Sequence, residues 1–100
     1  MIHEKTFMLA TGRTAKVIVR GHILPTESEI RKEIEVLIKE PKEDSFHSPI
    51  GELHPQFWKL KKLNGEQIRL LQIEYSGVTD KQIKKTLKEF EEAVHSSVSF

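Results

Sequence analysis

The stretch Gln56-Phe57-Trp58-Lys59-Leu60-Lys61-Lys62-Leu63-Asn64-Gly65-Glu66-Gln67-Ile68-Arg69-Leu70-Leu71-Gln72-Ile73-Glu74-Tyr75-Ser76 decides the architecture. It admits two readings. Asn64-Gly65 is a strong signal for a tight hairpin turn. A hairpin there would pair Leu63 with Glu66, Lys61 with Ile68, Lys59 with Leu70 and Trp58 with Leu71. Most of those pairs set charge against hydrophobe, which is poor sheet chemistry. The other reading is two helices. Pro55 opens the first at its N1 position. Asn64 caps the second, and Gln67 three residues later completes a capping box. Ile68, Leu71 and Tyr75 then share one face, flanked by Leu70. The helical reading has the better chemistry and is adopted.

Downstream, Ser76-Gly77-Val78-Thr79 joins this segment to a further helix. Thr79-Asp80-Lys81-Gln82 repeats the capping-box logic, and Ile83, Leu87, Phe90 and Val94 follow at helical spacing. The tail over 96–100 is expected to fray. A helix, a glycine, an apolar plug, a capping Thr and a second helix form the grammar of a helix-turn-helix over residues 66–88. The second helix carries Lys81, Lys84, Lys85 and Lys88 outward, a row able to lie along phosphates. Gln82 is its one amide able to read a base edge, and it holds no Arg. The blander reading is a helix corner with a solvated lysine face. A second basic cluster, Lys59, Lys61 and Lys62, lies beside Phe57 and Trp58. Interleaved cations and aromatics can stack on bases, and they also make an ordinary amphipathic segment.

Upstream, residues 41–55 read as a loop, tacked to the core by Phe46 and Ile50. Before it, Pro25-Thr26-Glu27-Ser28-Glu29 has the capping-box pattern, and Ile30, Ile34, Leu37 and Ile38 form one helical stripe. A helix is therefore expected over 26–39, ended by Pro41. Residues 5–10 and 14–20 read as a β-hairpin, rich in β-branched and apolar side chains about Gly12. With Gly12 and Arg13 as a two-residue loop, Met8 faces Val17 and Ala10 faces Ala15. The hairpin needs further cover, because two strands alone are marginal.

The chain is thus expected to be one α+β domain spanning residues 1–100: an N-terminal β-hairpin, three to four packed α-helices and a helix-turn-helix-like C-terminal pair. The expected core is Met8, Val17, Val19, Ile30, Ile34, Leu37, Leu60, Leu71, Ile83, Leu87 and Phe90.

Composition narrows the function classes. The 100 residues hold 16 Lys and Arg against 15 Asp and Glu, and no cysteine. That excludes disulfides, iron–sulfur clusters, cysteine-ligated zinc and thiol catalysis. No apolar run is long enough to span a membrane, and the start lacks the apolar segment of a signal peptide, so a cytoplasmic protein without membrane contact is expected. Charge is blocked along the chain: residues 1–25 and 54–88 are net basic, 26–53 and 89–100 net acidic. Such patches favour a protein partner or self-association. His3, His22, His47, His54 and His95 are scattered without metal-ligand spacing, and no metal or cofactor is expected. His47 beside Ser45 and Ser48 is the sole hint of catalysis, which places an enzyme with a site in the 41–55 loop a distant third. The leading expectation is a small non-enzymatic protein-binding or regulatory module. DNA binding through 66–88 is the alternative. The candidate contact residues are Lys81, Gln82, Lys84, Lys85 and Lys88, with Lys59, Lys61 and Lys62.

Overall fold

The computed structural model describes residues 1–23 and 30–98. Strands β1 (Ile2–Met8), β2 (Thr14–Ile23) and β3 (Ile30–Lys39) form an antiparallel sheet in the order β1-β2-β3. A 3₁₀ turn at Pro49–Glu52 follows, then helices α1 (Pro55–Lys61), α2 (Gly65–Ser76) and α3 (Asp80–Val98). The protein is α+β, with α3 lying over β1 and β2 and α2 over β3. No described helix is long and apolar enough to cross a membrane.

The expected helix over 26–39 is corrected: residues 30–39 are β3, and its proposed cap at residues 25–29 lies outside the described residues. The stripe Ile30-Ile34-Leu37-Ile38 fits a period near 3.6, but Ile34-Val36-Ile38 fits a period of two equally well. Tertiary context decides between them. In β3, Val36 and Ile38 are fully buried opposite Val17 and Ala15, and Ile34 packs against the same cluster. The charged residues between them turn to the other face, where Arg20 donates to Glu35 at 3.2 Å and His22 meets Glu33 at 3.4 Å. Local helix propensity is a weak prior that such a neighbour overrides.

The hairpin forms with a different register and longer strands. Met8 stands opposite Thr14, Phe7 opposite Ala15 and Lys5 opposite Val17. The connection is residues 9–13, closed by Leu9 N–H to Arg13 O at 2.8 Å and Gly12 N–H to Leu9 O at 3.0 Å. Gly12 takes φ +91°, which only glycine adopts freely. The slip from the expected pairing is odd, so it exchanges the two faces of β1. Met8 is left 75% exposed, while Leu9, just past the ladder, turns into the core. The driving contact is apolar: Leu9 joins Ala15, Val17, Val36, Ile38, Val78 and Ile83 in one cluster.

Val17, Val19, Ile83 and Phe90 are buried as expected. Leu60 is not a core residue, being 80% exposed on the short helix α1. Leu37 and Leu71 are half-buried, and Leu87 packs against the cluster from its margin. The side chain of Ile30 lies outside the described residues.

The two-helix reading of 56–76 holds. The Asn64 side chain accepts from Gln67 N–H at 2.9 Å, and Asn64 N–H donates to Gln67 Oε1 at 3.0 Å. Pro55 lies in the first turn of α1. The helical backbone of α3 continues through the expected tail to Val98, since no Gly or Pro follows Val94 to stop it. Residues 99 and 100 lie outside the described residues.

Candidate functional site on the C-terminal helix

The lysine face of α3 is built by its first turn. Thr79 Oγ1 accepts from Gln82 N–H at 3.3 Å, and Thr79 N–H donates to Gln82 Oε1 at 2.9 Å. This box fixes the helical phase. Ile83 and Phe90 then face the sheet, and Thr86, fully buried, donates its hydroxyl to Gln82 O at 2.9 Å. Lys81, Lys84, Lys85 and Lys88 fall on the opposite side and are all exposed. The seven residue steps from Lys81 to Lys88 cover roughly 10 Å of helix axis.

Two acids of α3 turn away from this row, while Asp80 and Glu92 stay exposed at its two ends without an ion pair among the described residues. Glu89 turns to β1, where it accepts from Lys5 Nζ at 2.5 Å and meets His3 Nε2 at 3.3 Å. Glu91 turns to β3 and pairs with Lys32. The i,i+4 relief that Glu89 offers Lys85 is therefore diverted to the sheet, and among the described residues none of the four lysines makes an ion pair. Lys5, His3 and Lys32 are the residues that sequence reading missed here. No local signal marks them, because they stand 84, 86 and 59 positions from their partners.

The cations of the sheet are treated differently. Arg13 pairs with Glu40 and Glu52, Arg20 with Glu35, and Arg69 of α2 reaches Glu33 at 2.9 Å. Lys16 and Lys39 stand over the Phe46 ring at 4.3 and 5.6 Å. Positive charge is thus compensated on the sheet and left open on α3.

Gln82 is half-buried and belongs to the cap of α3. Its carboxamide oxygen accepts from Thr79 N–H and meets Thr79 Oγ1. Lys59, Lys61 and Lys62 are exposed on and just after α1. Phe57 and Trp58 meet each other edge to face at 5.9 Å. Helix α1 borders α2 across a groove lined by Phe57, Leu63, Leu70 and Leu71, and makes no substantial contact with α3. The structure therefore does not merge the two lysine clusters.

The corner between α2 and α3 has the expected local form. Gly77 is left-handed at φ +85°, and Val78 is buried. Ser76, also buried, donates to Ile73 O at 2.8 Å and accepts from Val78 N–H at 3.1 Å. Both helices nevertheless pack chiefly on the sheet rather than across one another.

In the 41–55 loop, His47 bridges to β3 through paired backbone bonds with Ile38, each 2.9 Å. Its Nε2 meets Glu43 at 2.9 Å and its Nδ1 meets the Ser48 carbonyl at 3.2 Å. Both ring nitrogens face acceptors, and the imidazole pKa is raised by the Glu43 bond and then by the Ser48 carbonyl. That geometry holds the ring as a donor and offers no lone pair to Ser48, whose buried hydroxyl has no partner among the described residues. No group of three or more metal-ligating side chains gathers among the described residues.

One pH effect follows from the α3–β1 contact. The Glu89 carboxyl is held below its usual 4.5, chiefly by the Lys5 ammonium and further by His3. Its contribution is present above the unfolded value and is lost as pH falls through the lower folded value. The thermal midpoint should therefore fall on acidification below about pH 4.5, and Glu89→Gln should flatten that dependence. Parallel midpoint-versus-pH curves for the two proteins would refute the assignment.

No family model matches the chain, and neither a curated protein nor a solved structure shows significant similarity to it.

Proposed function

We propose that the protein is a non-enzymatic binding module that engages an acidic protein surface through Lys81, Lys84, Lys85 and Lys88 of α3. The observation that carries this reading is the segregation of charge. The acids of α3 that lie near the sheet are spent on Lys5, His3 and Lys32, while the row of lysines stays exposed and unpaired among the described residues. Lys81 with Lys85, and Lys84 with Lys88, are like-charge pairs at i,i+4, each costing about 0.2–0.5 kcal/mol. A face selected for stability alone would mix its signs. Gln82 gives its carboxamide oxygen to the cap and α3 holds no Arg, so this face offers few base-reading groups, which supports a protein rather than a duplex partner.

Titrating a fluorescent Asp/Glu-rich peptide and a fluorescent DNA duplex into the protein and its Lys84→Gln/Lys85→Gln variant tests this reading. The peptide should bind in a salt-sensitive manner and weaken by roughly three- to tenfold in the variant, with the fold unchanged. Duplex affinity should be negligible for both. Tight duplex binding whose salt slope falls by about two in the variant would replace this reading with DNA binding. Unchanged peptide binding with a lower thermal midpoint would make the lysines structural.

A further inference from the structure

From the free edge of β1 we infer that the protein forms a two-fold dimer in which β1 pairs antiparallel with β1 of a second copy, giving one six-stranded sheet. Among the described residues the edge is open, since β1 is the outer strand. Gly21 N–H donates to Met1 O at 2.9 Å, and Leu9 N–H to Arg13 O at 2.8 Å. Odd-numbered residues of β1 therefore spend their backbone groups on β2. The even-numbered residues Ile2, Glu4, Thr6 and Met8 point theirs at the free edge. An unpaired row of this kind is a template for another strand.

The sequence of β1 is self-complementary in one register. With the axis at Lys5, Ile2 stands opposite the partner's Met8, and Glu4 opposite the partner's Thr6. All four are residues with outward backbone groups, so the ladder closes over the whole strand. Ile2 and Met8 are 65% and 75% exposed in the single chain, and this pairing covers both. Sliding by two residues one way sets Glu4 against the partner's Glu4. Sliding the other way leaves Ile2 without a strand partner. Lys5 meets the partner's Lys5 at the axis, but each is already held by a Glu89. Each Lys5–Glu89 pair is close to neutral, which weakens the Lys5–Lys5 repulsion at the axis.

Two further features of the same edge fit this occupant. An apolar groove of about 230 Å³ lies beside it, lined by Ile2, His3, Phe90 and Ala93. In this register the partner's Phe7 arrives opposite His3, at the mouth of that groove. Helix α3 rests on β1 and β2 together. The symmetry mate of α3 would then lie two strand spacings away, at ~9–10 Å. That is the distance at which helices pack. The dimer thus adds a helix pair to the strand pair on one face of the sheet, and leaves Lys81, Lys84 and Lys88 pointing away from the axis.

Sedimentation equilibrium on the full chain and its variants tests the inference, with circular dichroism reporting the fold. The wild type should sediment at twice 11.6 kDa. Thr6→Pro removes an outward N–H that the β1–β2 ladder does not use, and should give a folded monomer. If that variant unfolds, a charge pair decides instead. Ile2→Lys with Met8→Lys sets like charges across the axis and should dissociate the dimer. Ile2→Lys with Met8→Glu sets opposite charges there and should restore it. A monomeric wild type overturns the inference, as does a folded Thr6→Pro dimer. Equal association of the two charge variants overturns the register.

Discussion

Phe90→Ala should cost about 3–5 kcal/mol of folding stability, the range for deleting a buried aromatic ring. Phe90 is 2% exposed and lies on the sheet-facing side of α3, one turn beyond Leu87. The helix is anchored to β1 and β2 by this face, so the cavity would open where the two layers meet. In a domain of this size each kcal/mol lowers the thermal midpoint by roughly 4–8 °C, so a fall of at least about 12 °C is expected. Leu60→Ala is the matched control. Leu60 carries a comparable hydrophobic load in the sequence but is 80% exposed, and its loss should stay within about 0.5 kcal/mol. Thermal or urea melts of the two variants make the comparison. Equal losses would mean that α1 is packed into the core and that the layer arrangement is wrong.

Val36→Asp should abolish folding, whereas Leu37→Asp should be tolerated far better. Val36 is fully buried between Val17 and its neighbours in the main cluster, and Leu37 is half-buried on the other face of β3. A carboxylate at position 36 would lie in an apolar layer without a partner, a burden of several kcal/mol against a total of only about 5–15. At position 37 the same carboxylate would stand beside Lys16, its cross-strand neighbour. Circular dichroism and a thermal melt read both outcomes. The contrast bears directly on strand against helix for residues 30–39. A helix with the stripe Ile30-Ile34-Leu37-Ile38 would bury position 37 and expose position 36, so the opposite order of damage would restore it.

Much of the helical half of the fold was legible locally. Asn64 with Gln67, Thr79 with Gln82, and Gly77 at the corner are instructions carried within four residues. Each closes a hydrogen bond, or relieves a backbone strain, that exists whatever the rest of the chain does. The sheet was legible only in part. Residues 14–20 read as strand because Val17, Ile18 and Val19 favour a pleated, buried surface. The register of β1 was not legible, because both its faces hold apolar side chains and the pattern alone does not choose between them. Burial of Leu9 under the α2–α3 corner makes that choice. Residues 30–39 satisfied two periodicities at once, and the open side of β2 selected the period of two.

The candidate site divides in the same way. The sequence by itself determined that Lys81, Lys84, Lys85 and Lys88 share the outer face of α3, because helical phase follows from the Thr79 cap and the Ile83-Leu87-Phe90 stripe. Only the tertiary structure decided that Glu89 and Glu91 pair with the sheet and leave the four lysines without an ion pair among the described residues. Lys5 and Lys32 lie on strands more than fifty positions away, and they draw Glu89 and Glu91 toward the sheet. Ion pairs of that span depend on which surfaces the packing of α3 on β1 and β2 brings within a few ångströms, and charge spacing along the chain holds no record of it.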